Sequence, residues 1–374
     1  MSAPASATLV AGVLERFGDE LYHCASCNYC VDPVWPERGI VRVCATLEHH
    51  APSPAYSGRG FIEIARALAE GMELDLDTVA ARVNTCTDCG NCEVTCPIGL
   101  HPAAIGRGLR TALAEAGLAP AALREAVAAI TAQGGVRAAP ALRPVAADGP
   151  RLQLYVGCHA DEDAAALLPW LAAAGVDVGL VRAGDTCCGA ALAELGAADT
   201  AAAWREGAGD DLVVLGYECL RHLGEATAAR GFLDWLVTAL EAGELTLTRR
   251  TDVAAAPPHL LESCQLKPRP GHPAPVEEVR ARQLLERLGI PLEDAGFPNR
   301  HRLCCGAGGG MPRMEPAAAA RMARGRLAEA GTDTSVTLDP RCARHLRAAG
   351  GAVTTFVTWL VGHCELGAVS GDAA

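Results

Sequence analysis

No apolar run in the 374 residues approaches the about eighteen needed to cross a bilayer; Val353 to Val361 is too short. Direct insertion into a membrane is therefore not expected. Basic charge is lacking too: the net charge is −12, and nucleic-acid binding needs a basic surface. Only 4% of residues are aromatic, too few for a platform on which bases stack. No strand-like segment runs into G-x-G-x-x-G, so the chain carries no dinucleotide fingerprint of its own. The apolar stretch after Met1 has no basic segment ahead of it and reaches Glu15 and Asp19 quickly. It reads as neither a secretory nor a twin-arginine signal. Scattered cysteine pairs, the mark of a short disulfide-stapled secreted chain, are also missing. The expectation is a cytoplasmic protein that touches the inner membrane only through a partner.

What the sequence has in quantity is cysteine, seventeen in all, and it comes in clusters. One run is complete: Cys86-x2-Cys89-x2-Cys92-x3-Cys96-Pro97. Three thiolates at this spacing wrap a short loop around a cube of iron and sulfide, and the fourth reaches to the other cluster of a pair. A second run, Cys24-x2-Cys27-x2-Cys30, has Val34 where its fourth cysteine belongs. Pro33, Pro36 and Gly39 mark the segment after it as an ordered loop, and Cys44 comes next. The crossing rule groups Cys24, Cys27, Cys30 and Cys96 around one 4Fe–4S cluster. It groups Cys86, Cys89, Cys92 and Cys44 around the other. The alternative for Cys44 is a buried bystander, with one iron of that cluster left to another ligand. Zinc is the plainer choice for clustered cysteines, but it takes paired C-x-x-C knuckles, not triplets followed by Cys-Pro.

The chain is long enough for two or three domains, and half its residues are hydrophobic, so a core needs no staples. Residues 1–133 read as helical around the cysteine loops. Phe61, Ile64, Ala65 and Leu68 keep helical spacing after the turn Ser57-Gly58-Arg59-Gly60. Val79, Ala80 and Val83 form a second stripe, and Ile105, Leu109 and Leu113 a third that ends near Gly117. Residues 134–150, rich in Ala, Gly and Pro, read as a linker.

From 151 the pattern alternates. Leu152 to Val156 reads as a strand that ends near Cys158, Val178 to Val181 as another, and Leu212 to Leu215 as a third that leads to Cys219. Strands alternating with helices imply a parallel sheet, with sites at the carboxyl ends of its strands. Residues 251–374 then repeat residues 151–250. Leu260-Leu261-Glu262-Ser263-Cys264 matches Tyr155-Val156-Gly157-Cys158, and Cys304-Cys305-Gly306 matches Cys187-Cys188-Gly189. Cys342-Ala343-Arg344-His345-Leu346 matches Cys219-Leu220-Arg221-His222-Leu223. The expected fold is therefore α+β and multidomain: a helical two-cluster ferredoxin-like domain, then two repeated α/β cysteine-rich lobes with parallel sheets.

Adjacent cysteines point in different directions and can each bind a different iron; a vicinal disulfide would need a strained ring. In Cys304-Cys305-Gly306-Ala307-Gly308-Gly309-Gly310 the missing side chains would let backbone N–H groups approach sulfur. A phosphate loop is the weaker choice, because the run lacks the Lys-Ser/Thr ending.

Two ferredoxin-like motifs followed by two C…CCG…C lobes resemble the iron–sulfur proteins related to heterodisulfide reductase. These include fused reductase subunits and the iron–sulfur subunits of glycolate, lactate and glycerol-3-phosphate dehydrogenases. The likeness spans about residues 20 to 350, and Ser57 to Gly60 is similar to that family's S-x-R-G turn. The resemblance implies that Cys158, Cys187, Cys188 and Cys219 are ligands in the first lobe, and Cys264, Cys304, Cys305 and Cys342 in the second. They would hold further iron–sulfur clusters or zinc; in the reductase five cysteines hold a noncubane cluster that splits disulfides. Here each lobe is one thiolate short, with Gly216 and Asp339 where that family's C-x-x-C begins. Asp339 is a candidate ligand in the second lobe. His222 and His345 follow the last cysteine of each lobe by three residues, one face of a helix. They could replace thiolate, or serve as surface residues or hydrogen-bond donors to sulfur. Cys364 reads as structural.

The expected function is an iron–sulfur electron-transfer subunit of an oxidoreductase, partnered by a flavoprotein, a membrane cytochrome subunit or both. The alternatives are a catalytic disulfide or heterodisulfide reductase subunit working at a lobe cluster, and a zinc-holding docking module. No residue is singled out as catalytic.

Overall fold

Apolar residues three and four apart can be buried together only on a helix, and the first hundred and thirty residues do so repeatedly. The computed structural model describes residues 9–32, 42–137, 141–149, 151–182, 187–224, 227–253, 258–267, 276–291, 304–330 and 335–368. Helices run over Ala11–His23, Gly58–Ala69, Leu76–Asn84, Pro102–Glu115 and Ala121–Gln133, with short ones at Ala45–His49 and Asn91–Val94. Val13, Phe17 and Leu21 of the first pack with Phe61, Ala65 and Leu68, with Val83, and with Ile105, Leu109 and Leu113. Each such side chain contributes about 1.5–3 kcal/mol on leaving water. All three expected stripes are the buried faces of these helices. Ser57-Gly58-Arg59-Gly60 is not a free turn: Ser57 is the N-cap and Gly58 the first helical residue. The loop expected from Pro33 to Gly39 lies outside the described residues.

Within the stretch 134–150, expected as a linker, Val145 and Gly149 are fastened to residues 175–178. Val145 forms an antiparallel bridge with Val178, and the Gly149 N–H donates to the Gly175 carbonyl at 3.1 Å. The helix Ala121–Gln133 is also docked, because Leu123, Ala126 and Ile130 share a core with Leu192, Leu195 and Ala201.

Beyond it lie two parallel sheets. The first contains β1 Arg151–Val156, β2 Asp177–Arg182, β3 Val213–Val214 and β4 Arg230–Gly231, in the order β2-β1-β3-β4. After β5 Leu245–Arg249 comes the second sheet, with β6 Leu260–Leu261, β7 Ser335–Thr337 and β8 Val353–Thr355 in the order β6-β7-β8. β9 Cys364–Ala368 then runs back antiparallel to β5, Leu245 opposite Ala368 and Arg249 opposite Cys364. The last strand after one sheet thus pairs with the last strand after the other.

Helices follow the strands in matching places: Tyr217–Leu223 after β3 and Pro340–Ala348 after β7, Phe232–Glu241 after β4 and Phe356–His363 after β8. The last two carry the same string, Phe-x-x-Trp-Leu-Val, at 232–237 and 356–361. Phe232 stacks on Trp235 at 5.8 Å and 28°, and Phe356 on Trp359 at 5.6 Å and 27°. One core runs through both sheets, from Leu152 and Leu154 to Phe356 and Leu366. Among the described residues no helix is long and apolar enough to cross a membrane.

Candidate metal centres

Both cysteine runs curl in the same way. The second and fourth residues after the first cysteine are left-handed in each: Ser26 (φ 51°) and Asn28 (φ 69°), Asp88 (φ 55°) and Gly90 (φ 71°). Three of the four are not glycine, and such residues cost about 1–3 kcal/mol each, held only where the surroundings demand the shape.

Cys24 ends the helix Ala11–His23. With Cys27, Cys30 and Cys96 it lines a cavity of about 190 Å3 whose walls include Ile62, Leu100 and Pro102. Cys96 has therefore left its own run and joined the other. Burial pushes the Cys30 thiol up to about 12, with Cys24, Cys96 and Cys27 adding to the rise, while the Arg59 backbone N–H donates to it. The Leu100 N–H donates to Cys96 Sγ at 3.4 Å. Cys27 is exposed, so this outer site reaches solvent.

The inner site gathers Cys86, Cys89, Cys92 and Cys44. Cys44 precedes the helix Ala45–His49 and is pushed up by burial and, more weakly, by Cys89 and Cys86. The Asp88 N–H donates to Cys86 Sγ at 3.3 Å, and Arg107 holds Asp88 at 2.6 Å. Gly58 lies against Cys92 so closely that a Cβ there would stand 2.7 Å from the Cys92 Cβ and 2.9 Å from its sulfur. The helix Gly58–Ala69 thus begins between the two sites. Gly58 touches the inner one, the Arg59 N–H serves the outer one, and the positive end of the helix faces thiolates. Cys30 and Cys92 share one apolar cluster with Val31, Leu47 and Cys44, which brings the sites side by side. The Cys30 and Cys44 thiols, pushed up by burial, stay protonated without metal, so loading them releases protons.

In the first lobe Cys158 Sγ lies 3.9 Å from Cys187 Sγ, and Cys188 hydrogen-bonds Cys219. The second lobe repeats this, with Cys264 to Cys304 at 3.9 Å and Cys305 to Cys342 at 3.2 Å. All seventeen cysteines are free thiols, so no vicinal disulfide forms. The cavity that the second set lines holds only about 10 Å3.

The neighbours of these sets differ. Asp339 caps its helix by accepting from the Arg341 and Cys342 N–H groups, and it also accepts from Ser263 Oγ at 2.6 Å. Those bonds occupy its carboxylate, which is a cap here and not a free ligand. In the first lobe the corresponding pair is Gly157 and Gly216, packed beside Cys219 Sγ. His345 Nε2 lies 3.2 Å from the Ala319 carbonyl, while His222 lines a groove between the helices Ala11–His23 and Pro102–Glu115 and the first lobe. Cys364 is fully buried at the start of β9.

The glycine run does more than serve sulfur. The Gly306 N–H does approach Cys304 Sγ, at 3.4 Å. Gly308, Gly309 and Gly310, however, press on the backbone of the inner-site loop. A Cβ at these positions would meet Thr87 O at 2.6 Å, Cys86 O at 2.1 Å and Asn84 O at 2.1 Å. This contact brings Cys304 within hydrogen-bonding reach of Cys89, whose thiol Cys304 pulls down to about 6. Cys89, Cys264 and Cys304 pack in one cluster with Ala45 and Met311.

Sequence reasoning missed several residues here. Arg341 grips Glu194 with both Nη atoms, at 2.9 and 3.0 Å, and the Gly309 N–H joins them at 3.0 Å. Lys267 is buried beside Cys89, Cys264 and Cys304, with its Nζ on Asn91 Oδ1. Arg110 is buried near Cys86. The available signal was an arginine in step with Gly106 and Leu113 on an otherwise apolar helix face.

Among the described residues no three Cys, His, Asp or Glu side chains close on one point as a single ion requires. A cube, by contrast, takes its thiolates at separate corners. Residues 20–100 match the family model of a 4Fe–4S dicluster domain, and residues 260–347 that of a cysteine-rich domain, CCG. No curated protein matches the chain. The first of the two sheet units lies outside both matches. An iron–sulfur dicluster domain joined to a cysteine-rich domain has a redox role.

Proposed function

We propose, for a chain that joins a 4Fe–4S dicluster domain to a CCG domain as heterodisulfide reductase-like iron–sulfur subunits do, that it is the electron-transfer subunit of an oxidoreductase complex. A 4Fe–4S cluster supplies one-electron transfer when bound. Cys24, Cys27, Cys30 and Cys96 would hold the outer one, and Cys86, Cys89, Cys92 and Cys44 the inner one.

The observation that carries the reading is the unbroken series of sulfur neighbours. It runs from exposed Cys27 to Cys30, across the cluster shared by Cys30 and Cys92, and from Cys89 to Cys304. Tyr22, Tyr29 and Ile98 stand exposed close in sequence to Cys24, Cys30 and Cys96, where a partner's redox group could come close. The partner is a flavoprotein, a membrane cytochrome subunit or both, because this chain has no dinucleotide fingerprint with which to take a hydride. Any place at the inner membrane comes through that partner.

The eight lobe cysteines would hold further iron–sulfur centres. Matching strand orders, matching helices and the repeated Phe-x-x-Trp-Leu-Val support two lobes made by duplication. Disulfide cleavage is the weaker reading, since Gly216 offers no ligand and the Asp339 carboxylate is committed to its helix cap. The test is reduction of the anaerobically reconstituted chain, alone and with any flavoprotein captured by co-purification. Fast reduction only with the flavoprotein is expected. Fast reduction of the isolated chain by NADH or a hydroxy acid would overturn the proposal.

A further inference from the structure

Among the described residues Arg110 heads the fully buried side chains by volume, at 1% exposure. It projects from the helix Pro102–Glu115, and its Nη1 donates to the Glu194 carbonyl at 2.6 Å. Its Nε and Nη2 have no hydrogen-bond partner among the described residues, and no carboxylate there pairs with it. The contrast is Arg341, whose guanidinium is matched by both Glu194 oxygens. An arginine cannot shed its proton, and an uncompensated buried charge costs several kcal/mol. Buried groups left this way call for a partner that binds there.

The surroundings say which partner. The helix Leu76–Asn84 packs on the helix of Arg110 and leads directly into Cys86. Glu194, whose carbonyl accepts from Arg110, also accepts from the Gly309 N–H, and Gly309 lies against the Cys86 carbonyl. The first lobe seals the other side: a Cβ on left-handed Gly196 would stand 2.9 Å from the Arg110 carbonyl. The orphaned donors are therefore buried on a helix that packs against the one leading into the inner-site loop.

We propose that Arg110 is the fixed counter-cation of the inner 4Fe–4S site and raises its reduction potential above that of the outer site. The proposal rests on the reading that Cys86, Cys89, Cys92 and Cys44 hold such a cluster. Each electron accepted makes the assembly of thiolates and cluster one unit more negative, so a buried cation stabilises the reduced form more than the oxidised form. Among the described residues no fully buried arginine lines the outer site. The nearby Arg59 is partly exposed and already paired with Glu63 at 2.8 Å, so water and a carboxylate mute it. Lys267 is also buried beside Cys89, but its Nζ is held by Asn91 Oδ1. Electrons delivered at exposed Cys27 then settle on the inner site, next to Cys304.

The test is a redox titration of the full reconstituted chain, followed by electron paramagnetic resonance, with dithionite as the one-electron donor. Iron and sulfide are assayed first. The wild type should titrate in two steps, and Cys44→Ser should remove the higher one. Arg110→Met should lower that step at least tenfold in the reduced-to-oxidised ratio at a set potential, about 59 mV for one electron. The lower step should not move, and Arg110→Lys should restore most of the shift. Arg110→Gln provides a second neutral variant if the methionine form loads poorly. An inner step unmoved in a neutral variant with full iron and sulfide overturns the role of Arg110, and so does an equal shift of both steps. A wild type without the second cluster overturns the functional reading and this inference together.

Discussion

Replacing Arg341 by methionine should cost more stability than any other single change at the junction of the two sheet units. Methionine keeps much of the length and removes the charge. Arg341 and Glu194 are 10% and 12% exposed, and two N–H···O contacts of 2.9 and 3.0 Å join them. The pair ties the helix Pro340–Ala348 to the helix Ala190–Glu194, one helix from each unit. Once Arg341 is gone, the Glu194 carboxylate keeps only the Gly309 N–H. Removing one partner of a buried pair costs about 3–5 kcal/mol, because the other charge is left without compensation. Glu218 suffers as well: burial pushes its carboxyl up to about 7, and Arg341 is the main group opposing that rise.

The double variant Arg341→Met/Glu194→Met leaves no orphan charge in the pair. It should therefore be less destabilised than the sum of the single variants, with a coupling of roughly 2–3 kcal/mol. Urea unfolding of the holoprotein, followed by both circular dichroism and cluster absorbance, measures this. A loss below about 1 kcal/mol for Arg341→Met, or additive single variants, would refute the reasoning.

Other changes test other parts of the account. Gly58→Val should displace Cys92, since even a Cβ would stand 2.7 Å from the Cys92 Cβ, and should cost about four of the bound irons, measured by iron assay. Glu277 is buried against the Leu233 and Asp234 N–H groups, and burial pushes its carboxyl up to about 7 from 4.5. The folded state therefore holds a proton that the unfolded state releases between those values. Stability should fall as pH rises through that window, by up to about 3 kcal/mol, and Glu277→Gln should flatten the dependence in urea titrations at pH 5 and 8. His345→Ala should leave the metal content of the full chain unchanged, because that ring is engaged with the Ala319 carbonyl; loss of iron would make it a ligand.

Spacing made the metal chemistry legible, because a loop that wraps a cluster needs its cysteines at set intervals. Cys96 lines one cavity with Cys24, Cys27 and Cys30, and Cys44 lies near Cys86 and Cys89; whether these sets are the ligands of two clusters is what the last experiment below tests. The helical stripes around Phe61, Val83 and Leu109 were legible for the same reason, since burial imposes a period. Contacts that depend on which backbones meet were not. Nothing local in Gly308, Gly309 and Gly310 says that they press on Asn84 to Thr87, more than two hundred residues earlier. The stretch from 134 to 150 looked like a linker because two backbone bonds between Val145 and Val178 leave no mark in composition. Asp339 looked like a ligand because it stands in a cysteine's place, whereas Asp is also a preferred N-cap, and Pro340 after it marks a helix start.

The crossed pair of 4Fe–4S sites is most directly tested by Cys96→Ser beside Cys44→Ser, both in the full reconstituted chain. Iron, sulfide and the paramagnetic signals of the dithionite-reduced protein are the readout. The account predicts complementary losses, each of about four irons and one signal. Cys96→Ser should remove the site of Cys24, Cys27 and Cys30, and Cys44→Ser that of Cys86, Cys89 and Cys92. Loss of the same signal in both variants, or zinc in place of iron and sulfide, would contradict it.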